Sequence, residues 1–452
     1  MFNRVLVANR GEIAVRVIRA LHELGIEAVA IYSTADRDSL HVRLADRAVC
    51  IGPPPSVDSY LKIPSVVAAA ETTGCQAVHP GWGFLAENPA FVHACEDNDL
   101  VFIGPPADVM ARMGDKTEAK TAVREAGIPL VPGTESAVTL AEAERVAEDV
   151  GYPILLKASA GGGGKGMRLV RAREELEDAY GSASAEAQAA FGDGALYVEK
   201  VVSPARHVEI QVIADDHGNV LTLGERECSI QRRHQKLIEE SPSPALDDDT
   251  REAMEAAAEA ACRAIGYRNA GTFEFLLGPD RSFYFIELNC RLQVEHPVSE
   301  LLTGIDLVRE QLYVAAGEPL RLVGRAPRGG HAIEVRINAE DPSRGFLPMP
   351  GKIERLRLPL GPFDRVDTAI EEGSVVSPYY DSLLAKVIVW DGDRPKAIAR
   401  MLRALGELEV VGVPTTREAA IDILRSEEFQ SGRYSTSFLE EAGARLPALA
   451  PA

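Results

Sequence analysis

The sequence predicts a protein of mixed α/β and α+β class with three domains, and three features lead to this prediction. The chain opens with an apolar strand, a polar turn, an amphipathic helix and a second apolar strand, which is typical of a parallel, Rossmann-like sheet. A glycine-rich loop nearer the middle joins two strands, and the last quarter combines short strands with two closing helices. The length of 452 residues fits about three domains of ordinary size.

The composition narrows the class of protein. Hydrophobic residues make up 46% and charged residues 26%, which is ordinary for a globular protein. The 68 acidic residues exceed the 48 Lys and Arg residues, and the formal charge of −20 argues against a nucleic-acid binder or a basic membrane-surface protein. A locally basic pocket for a phosphorylated small molecule is compatible with that total. The six dispersed cysteines form no CxxC pair, so we expect reduced thiols in a cytoplasmic protein.

Residues 1–113 are predicted to form the N-terminal domain. Residues 2–8 read as an apolar strand, residues 12–24 have helical spacing up to Gly25, and residues 26–31 read as a second strand. The same pattern then recurs, with a helix near 64–73, a strand at 76–79, a helix near 88–97 and a strand at 100–103.

Residues 114–330 are predicted to form a central domain that carries a mobile lid subdomain at about 132–201. The lid contains helices and strands on both sides of the glycine run, at 139–149, 153–158, 167–170, 173–190 and 196–200. The rest of the domain begins with a helix at 118–126 and continues with strands and helices at 207–214, 220–226, 248–265, 271–277, 282–289 and 304–316.

Residues 331–446 are predicted to form a C-terminal α+β domain. Its first strand alternates polar and apolar residues, so Glu334, Arg336 and Asn338 should share one face. That face is either solvated or part of a site. The predicted strands and helices of this domain are at 331–338, 351–357, 382–389, 394–405 and 415–426.

The glycine-rich loop spans residues 160–167. Its glycine spacing fits a dinucleotide fingerprint, but that motif needs a helix after the loop, and a strand follows here. Met167 stands where a Walker A loop would need lysine. A loop between two strands predicts instead a flap whose backbone N–H groups cover phosphates, with Lys157 and Lys165 adding positive charge. The alternative is a flexible hairpin tip.

A long alternation of polar and apolar residues begins at Ile286 and is the strongest signal in the chain. Side chains with a period of two share one face of an extended strand. The polar residues that should point the same way are Glu287, Asn289, Arg291, Gln293 and Glu295. The alternative is the solvated face of an edge strand, although such a face more often carries Thr, Lys and Ser.

The same strand is predicted to contribute to a divalent-metal site. A turn at residues 278–281 would make Glu274 and Glu287 diagonal neighbours on one face of a hairpin. With the side-chain oxygen of Asn289, these carboxylates supply the hard oxygen ligands that Mg²⁺ prefers. A metal in this place would bridge phosphate groups.

Three further polar groups are compatible either with a site or with an ordinary surface. His207, Glu209 and Gln211 share one face of a predicted strand. Residues 231–236 read as a basic loop. Lys116 precedes a helix and could reach a phosphate, or it could be a surface lysine.

Together, the glycine flap, the paired carboxylates and the basic loop resemble the ATP-grasp superfamily, and longer motifs resemble the biotin carboxylases within it. The resemblance extends from about residue 2 to about residue 440. The motifs that carry it are at residues 8–14, 79–85, 113–116, 157–158, 206–211, 226–236, 271–275, 293–296 and 336–340.

The resemblance implies a reaction and its cofactors. Biotin carboxylases use ATP, with Mg²⁺ or Mn²⁺, and bicarbonate to make carboxyphosphate, and they then carboxylate N1 of biotin on a carrier protein. The implied metal ligands are Glu274, Glu287 and Asn289. The implied ATP-binding residues are Lys116, Lys157, Gly161, Gly162, Gly163, Gly164, Lys165, Gly166, Met167, Glu199, Lys200, Val202, His207, Gln231, His234, Glu274, Leu276 and Glu287.

The resemblance also implies the residues that bind bicarbonate and biotin, which are Arg291, Gln293, Val294, Glu295 and Arg336. Among the catalytic residues, Glu295 would remove the bicarbonate proton and Lys236 would stabilise carboxyphosphate. Arg336 would stabilise the biotin enolate, because its permanent charge suits an oxygen that becomes negative. A nearby cation such as Arg291 would keep the base ionised.

By the same resemblance, the chain would catalyse the first half-reaction of an acetyl-CoA or acyl-CoA carboxylase. Its partners would be a carboxyltransferase subunit, a second copy of itself in a homodimer, and a biotin carboxyl carrier protein. Because no Met-Lys-Met biotin-attachment triplet occurs, the carrier is expected on a separate chain. The alternatives are a pyruvate carboxylase subunit, another ATP-grasp ligase such as a purine-pathway carboxylating enzyme, or a nucleotide-sensing regulator without the metal carboxylates or Glu295.

Two residues depart from the family pattern. Trp82 stands where the family usually has tyrosine in a Pro-Gly-Tyr-Gly turn, so a phenol hydroxyl is missing there. Cys290 stands where threonine or proline is usual. Its side chain is expected to face away from the site.

Overall fold

The structure is a computed structural model that describes residues 1–134, 136–159, 167–233 and 235–450. Its N-terminal region confirms the predicted alternation of helices and strands. In chain order, the elements of this region are β1 (Arg4–Val7), α1 (Gly11–Glu23), β2 (Glu27–Ser33), α2 (Leu40–Leu44), β3 (Arg47–Gly52), α3 (Ile63–Thr73), β4 (Ala77–His79), α4 (Pro89–Glu96), β5 (Val101–Phe102) and α5 (Ala107–Gly114).

The first sheet is parallel, with the strand order β3-β2-β1-β4-β5. The central strand β1 is apolar because both of its faces are covered, and Leu6 and Val7 are fully buried. The edge strand β3 was not predicted from the sequence. Half of its six residues are exposed, and its short apolar run at residues 48–51 shows no clear alternation.

The central region contains two separate sheets and their helices. In chain order, its elements are α6 (Lys116–Glu125), α7 (Leu140–Val150), β6 (Ile154–Ala158), β7 (Met167–Val170), α8 (Leu176–Phe191), β8 (Leu196–Lys200), β9 (Arg206–Ala214), β10 (Val220–Arg232), β11 (Gln235–Ser241), α9 (Asp248–Ile265), β12 (Asn269–Leu277), β13 (Phe283–Asn289), α10 (His296–Thr303), α11 (Leu307–Ala315) and β14 (Gly324–Arg325).

The segment predicted to be a lid has its own sheet and its own core. Its strand order is β7-β6-β8, and both pairings are antiparallel. The helices α7 and α8 pack on this sheet around Leu156, Val170 and Val198. A capping box between Thr139 and Glu142 starts α7 and satisfies two backbone N–H groups that would otherwise be unpaired.

The C-terminal region is α+β, as predicted. In chain order, its elements are β15 (His331–Asn338), β16 (Glu340–Asp341), β17 (Leu347–Pro348), β18 (Gly351–Lys352), β19 (Arg355–Arg357), β20 (Asp364–Thr368), β21 (Val375–Val376), β22 (Leu383–Asp391), α12 (Arg394–Glu407), β23 (Glu409–Val411), α13 (Arg417–Arg425), α14 (Glu427–Gln430) and α15 (Phe438–Ala442).

One long sheet joins the central and C-terminal regions. Its strand order is β13-β12-β9-β10-β11-β15-β22-β20, and β14 pairs beside β10. β11 and β15 are antiparallel neighbours, with Glu239 directly opposite Glu334. The sheet therefore crosses residue 330, where the sequence predicts a domain boundary, and it brings Arg336 of β15 beside the strands of the central region.

The register of the hairpin β12–β13 differs from the prediction. The turn is longer than expected, because the Gly278 N–H donates to the Ser282 carbonyl at 2.7 Å and Leu277 pairs with Phe283. An irregularity at Ile286 then shifts the pairing again. Glu274 and Glu287 are consequently direct cross-strand partners, not diagonal neighbours.

Two other local predictions were wrong. The polar residues from Glu287 to Glu295 do not share one strand face. The strand ends at Asn289, in agreement with its predicted bounds of 282–289, and Arg291, Gln293 and Glu295 belong to the irregular segment that leads into α10. The basic run at 231–236 is not a simple loop. It spans the end of β10 and the start of β11, which form an antiparallel hairpin. Hydrogen bonds between distant segments decide where a strand ends, and a local alternation does not report them.

Among the described residues, none of the helices is both long and apolar enough to cross a bilayer. All six cysteines are free thiols, and each of them except Cys50 is buried. The prediction of reduced, mostly buried thiols is therefore confirmed.

We expect buried His41 to make the stability of the protein depend on pH. The ring is fully buried, and burial lowers the pKa of His41 to about 4, against about 6.5 in an unfolded chain. Because the folded state favours the neutral ring, its contribution is fully present above pH 6.5 and is lost as the pH falls toward 4. Between pH 7 and pH 5, wild type should lose about 2 kcal/mol more unfolding free energy than His41→Gln.

Urea denaturation at the two pH values measures this difference. The matched control is His93→Gln, because His93 is exposed and its replacement should leave the pH dependence of wild type unchanged. Equal pH dependence of wild type and His41→Gln would contradict the prediction.

Candidate active site

A buried lysine is the centre of an ion cluster on the long sheet. Lys236 of β11 directs its Nζ at three carboxylates, with distances of 2.6 Å to Glu209 of β9, 3.0 Å to Glu274 of β12 and 2.5 Å to Glu295. Alternation along these strands places the polar side chains on one face and the apolar residues in the core. The structure thus brings together groups that are up to 86 positions apart in the sequence, as for Glu209 and Glu295.

Glu295 precedes the first residue of α10 and lies between two cations. One oxygen, Oε1, contacts Lys236 at 2.5 Å, and the other, Oε2, contacts the Arg336 guanidinium at 3.0 Å. Burial by itself would raise the pKa of Glu295, but Lys236, Arg336 and Arg226 outweigh burial and hold the pKa below its ordinary value. Glu295 is therefore ionised throughout the neutral range.

Arg226 of β10 is fully buried and organises the side chains behind this cluster. Its Nε donates to Glu209 at 2.5 Å, and its Nη2 donates to the side-chain oxygen of Gln293 at 3.1 Å. That bond orients the amide, so Gln293 Nε2 donates to Glu274 at 2.9 Å. No local pattern identified Arg226, because the residue stands out only when its partners on other strands are known.

Glu274, Glu287 and Asn289 form a group of oxygen donors at the end of the hairpin. The Asn289 amide donates to Glu274 Oε1 at 2.9 Å, and His207 Nε2 lies 3.0 Å from Glu274 Oε2. Burial and the facing Glu274 charge raise the pKa of Glu287. A divalent cation would relieve this like-charge repulsion, and the hard oxygen donors fit Mg²⁺ or Mn²⁺.

A cavity of about 490 Å³ opens beside these carboxylates, between the lid segment and the long sheet. Its apolar lining includes Met167, Tyr197 and Leu276, and its polar lining includes the ends of Lys157 and Glu199. Glu199 pairs with Lys157 and also with Lys120, the latter at 2.7 Å. The cavity thus combines apolar walls, lysines and a group of metal-binding oxygens, which together suit a nucleotide with its phosphates.

The predicted ATP-binding residues fall into three groups. Those that line the cavity are Lys157, Met167, Glu199, Leu276 and Glu287. The structure leaves Lys200, Val202, His207, Gln231 and Glu274 out of the lining, and Lys200 Nζ instead donates to backbone carbonyls of Gly151 and Tyr152. Outside the described residues are the Lys116 side chain, Gly161, Gly162, Gly163, Gly164, Lys165, Gly166 and His234.

Arg291 forms no ion pair with Glu295 among the described residues, although the two charges still attract each other at longer range, as expected for a cation near the base. Its Nε contacts Glu87 at 2.7 Å, and its Nη2 donates to Asn289 at 3.0 Å. The Glu87 carboxylate also accepts from the Cys290 backbone N–H. Sequence reasoning missed Glu87 because nothing in its local pattern distinguishes it from a surface glutamate. Cys290 lines the cavity, and its side chain belongs to the hydrophobic core.

Trp82 belongs to a buried chain of contacts that ends at the site. Its indole N–H donates to Glu12 at 3.0 Å, and Glu12 lies 3.0 Å from Lys386 Nζ. Lys386 donates in turn to the Val294 carbonyl at 2.9 Å. In the sequence, the only indication of this chain of contacts is that Lys386 is a single lysine within the apolar strand β22. The indole thus has a hydrogen-bond partner of its own at the position where the family usually has a phenol.

The mixed architecture, the cavity under a separate small sheet and the carboxylate pair on adjoining strands define an ATP-grasp enzyme. Family comparisons agree along the length of the chain. Residues 1–110 match the biotin carboxylase N-terminal domain, residues 115–323 the ATP-binding domain of the carbamoyl-phosphate synthase L chain, and residues 334–441 the biotin carboxylase C-terminal domain.

Individual relatives lead to the same family. A biotin carboxylase of Nostoc is 52% identical over 442 residues, covering 97% of this chain and 99% of its own length. A pyruvate carboxylase subunit of Methanothermobacter thermautotrophicus is 50% identical over 443 residues, covering 98% and 90%. The chain belongs to the biotin carboxylase family. It is an ATP-dependent ligase that carboxylates biotin.

Solved structures of the family superpose closely on this fold. The biotin carboxylase–β,γ-ATP complex of Campylobacter jejuni matches with a TM-score of 0.93 and 46% identity over 98% of this chain and 99% of its own. The biotin carboxylase domain dimer of the Hydrogenobacter thermophilus 2-oxoglutarate carboxylase, in complex with MgADP and bicarbonate, matches with a TM-score of 0.92 and 47% identity over 100% and 99%.

We expect Lys236→Met to destabilise the protein by about 3–5 kcal/mol, because removal of the lysine leaves buried carboxylates without the cation that they share. The control is Lys396→Met, which removes an exposed lysine paired with Asp393 at 2.6 Å and should change the stability little, because exposed ion pairs contribute little. Urea denaturation at pH 7 compares the two. Similar losses in both variants would contradict the central place of Lys236 in the cluster.

Proposed function

We propose that this chain carries out the first half-reaction of a biotin-dependent carboxylase at the cluster described above. ATP and bicarbonate form ADP and carboxyphosphate. Carboxyphosphate then transfers its carboxyl carbon to N1 of biotin held by a separate carrier protein, and the inorganic phosphate that leaves takes up the N1 proton. The observation that carries the proposal is the ionised, buried Glu295 clamped between Lys236 and Arg336. A base beside two fixed cations suits the deprotonation of an anion and the stabilisation of the charge that follows.

Glu295 is proposed to be the base. It removes the bicarbonate proton, and the oxygen that it exposes attacks the γ-phosphorus of ATP, with ADP as the leaving group. Gln293, whose amide is held between Arg226 and Glu274, and the backbone of Val294, held by Lys386, orient the bicarbonate. Arg291 supplies a second guanidinium at the cavity edge.

Two cations are proposed to act after the phosphoryl transfer. Lys236 lies among three carboxylates, one of which is the base Glu295. Its ammonium group stabilises the carboxyphosphate that forms beside Glu295. Arg336 stabilises the negative charge that develops on the ureido oxygen of biotin, because its guanidinium carries a permanent charge. Lys236 and Arg336 both contact Glu295 in this structure. A substrate that binds here therefore replaces Glu295 as the partner of these two cations.

The cavity is proposed to be the ATP site. Lys157 and Glu199 bind the nucleotide together with Met167, Leu276 and the glycine flap, and the lid, about residues 132–201, closes over it. A divalent cation held by Glu274, Glu287 and Asn289 would neutralise phosphate charge. The MgADP in the H. thermophilus relative supports this assignment. The proposed ATP-binding set is completed by Lys116, His207, Gln231, His234, Lys200 and Val202.

The domain limits and partners are also proposals. The three family matches support domains at 1–113, 114–330 and 331–446. The dimeric relative with bound bicarbonate supports a homodimer that uses bicarbonate. A biotin carboxyl carrier protein and a carboxyltransferase subunit complete the enzyme. The acceptor is an acyl-CoA, and the alternative, supported by the match to the M. thermautotrophicus pyruvate carboxylase subunit, is pyruvate.

ATP hydrolysis that depends on bicarbonate, measured with and without free biotin, tests the reaction. We expect biotin to increase the rate and carboxybiotin to form. Hydrolysis without biotin stimulation and without carboxybiotin would instead favour another ATP-grasp ligase, such as a purine-pathway carboxylating enzyme.

In the same assay, we expect Glu295→Gln to lower kcat by about 10²–10⁴, because the amide cannot take the bicarbonate proton. ATP binding should be unchanged, since Glu295 is not part of the cavity lining. Full activity of the variant would remove Glu295 from the role of base. Glu71→Gln, at an exposed glutamate of α3, is the matched control.

We expect Glu287→Gln to weaken binding of Mn²⁺·ADP about tenfold or more, because one charged oxygen ligand becomes a neutral amide. Metal-free ADP should bind as it does to wild type. Isothermal titration calorimetry with and without Mn²⁺ separates the two effects. Equal weakening with and without metal would mean that Glu287 contacts the nucleotide and does not bind the metal.

A further inference from the structure

A second pair of buried carboxyl groups lies beside Arg336 and takes no part in the proposed reaction. Glu334 of β15 and Glu239 of β11 are direct cross-strand partners, and both are fully buried. Their side chains leave the sheet on the same face, with β carbons typically about 4.5–5.5 Å apart. Neither of these residues lines the cavity that is proposed to hold ATP.

Three of the four carboxyl oxygens of Glu239 and Glu334 lack a hydrogen-bond donor among the described residues. Glu239 Oε1 accepts from Arg336 Nε at 2.6 Å, while Glu239 Oε2 has no donor among the described residues. Neither oxygen of Glu334 has a donor in the same part of the chain. A buried carboxylate without a donor is costly, and a protonated Glu334 would carry a donor of the kind that Glu239 Oε2 lacks.

The charges around Glu334 do not supply an alternative partner. Lys386 of β22 is the nearest cation on the adjoining strand, but its Nζ is already bonded to Glu12 and to the Val294 carbonyl and lies 3.7 Å from Asp367. Arg336 is shared by Glu239 and Glu295.

The helix packed on this face adds no free cation for Glu334. α10 lies against β15 and carries His296 and Glu300. Burial lowers the pKa of His296 well below its ordinary value, so that ring is neutral. Glu300 is itself paired with Arg16 and Arg365. Burial accordingly raises the pKa of Glu334 well above its ordinary value.

We propose that Glu334 is a protonated positioning residue whose O–H donates to Glu239 and so orients the carboxylate that holds Arg336. Hydrogen bonds then run from Glu334 through Glu239 and Arg336 to Glu295. The donated proton draws part of the Glu239 charge away from Arg336, which leaves more of the guanidinium charge for the ureido oxygen of biotin. This inference rests on the proposed role of Arg336.

The protonation of Glu334 is tested by stability, independently of activity. For an acid whose pKa is raised by folding, the contribution to stability is full below the unfolded pKa and is lost as the pH rises toward the folded pKa. Glutamine is isosteric and cannot titrate. Above pH 5.5, the unfolding equilibrium constant of wild type relative to Glu334→Gln should therefore rise with pH, by up to about tenfold per pH unit while Glu334 keeps its proton in the folded state. A ratio that stays flat or falls would show an ionised Glu334 and overturn the proposal.

The positioning role is tested by two variants in biotin-dependent ATP hydrolysis. Glu334→Gln keeps a donor, because its amide N–H can bond to Glu239, and it should retain kcat at pH 8 within about twofold. Glu334→Leu has no donor and should lose about tenfold in kcat with the KM for ATP unchanged, which is the effect of one hydrogen bond to a charged group. Glu71→Gln serves as the control for both.

The pH profile separates positioning from a structural role. The kcat of wild type should fall at alkaline pH as Glu334 loses its proton, and Glu334→Gln should lack that fall. Wild-type kcat in Glu334→Leu, or equal losses in both variants, would overturn the positioning role. If neither wild type nor variant responds to biotin, the proposed reaction fails, while the stability ratio still decides whether Glu334 carries the proton.

Discussion

The structure depends on the need to pair buried charges. The long sheet carries Glu209 and Glu274, and the segment before α10 carries Glu295, into one small volume where unpaired carboxylates would be strongly unfavourable. A single ammonium group, that of Lys236, contacts all three. The strands must therefore keep the register that places this lysine at the centre. Loss of one partner would leave the others as uncompensated charges.

The continuity of the sheet extends this constraint beyond one domain. Because β11 pairs with β15, Arg336 reaches Glu295 from the C-terminal region. From the opposite side, Glu12 of the first helix reaches Lys386, which bonds to the Val294 carbonyl. Parts of all three regions hold the segment that contains the base. The position of Glu295 thus depends on how the three regions pack together. The lid segment has its own sheet and its own core, so it is the part of the molecule that depends least on these contacts.

Site residues that belong to a strong local pattern could be predicted from the sequence. The alternation that begins at Ile286 identified the polar residues that lead to the site, and the strands predicted on both sides of the glycine run are present as β6 and β7. Contacts between residues that are distant in the chain were the hardest to predict. Glu87 binds Arg291 across 204 positions, and Glu12 binds Lys386 across 374, as their numbering shows. Glu87 is not distinguished by its neighbours, and the motif at residues 8–14 that contains Glu12 does not indicate its partner.

The sequence alone determined the class of fold, the family and the residue types available for catalysis, because periodicity, turn residues and long motifs are properties of contiguous segments. Only the tertiary structure decided the direct pairing of Glu274 with Glu287 and the contacts of each cation. Strand register follows from hydrogen bonds between segments, and a shift of one residue turns every side chain to the other face. The choice of Lys236 and Arg336, and not Arg291, as the contacts of Glu295 was made by that geometry.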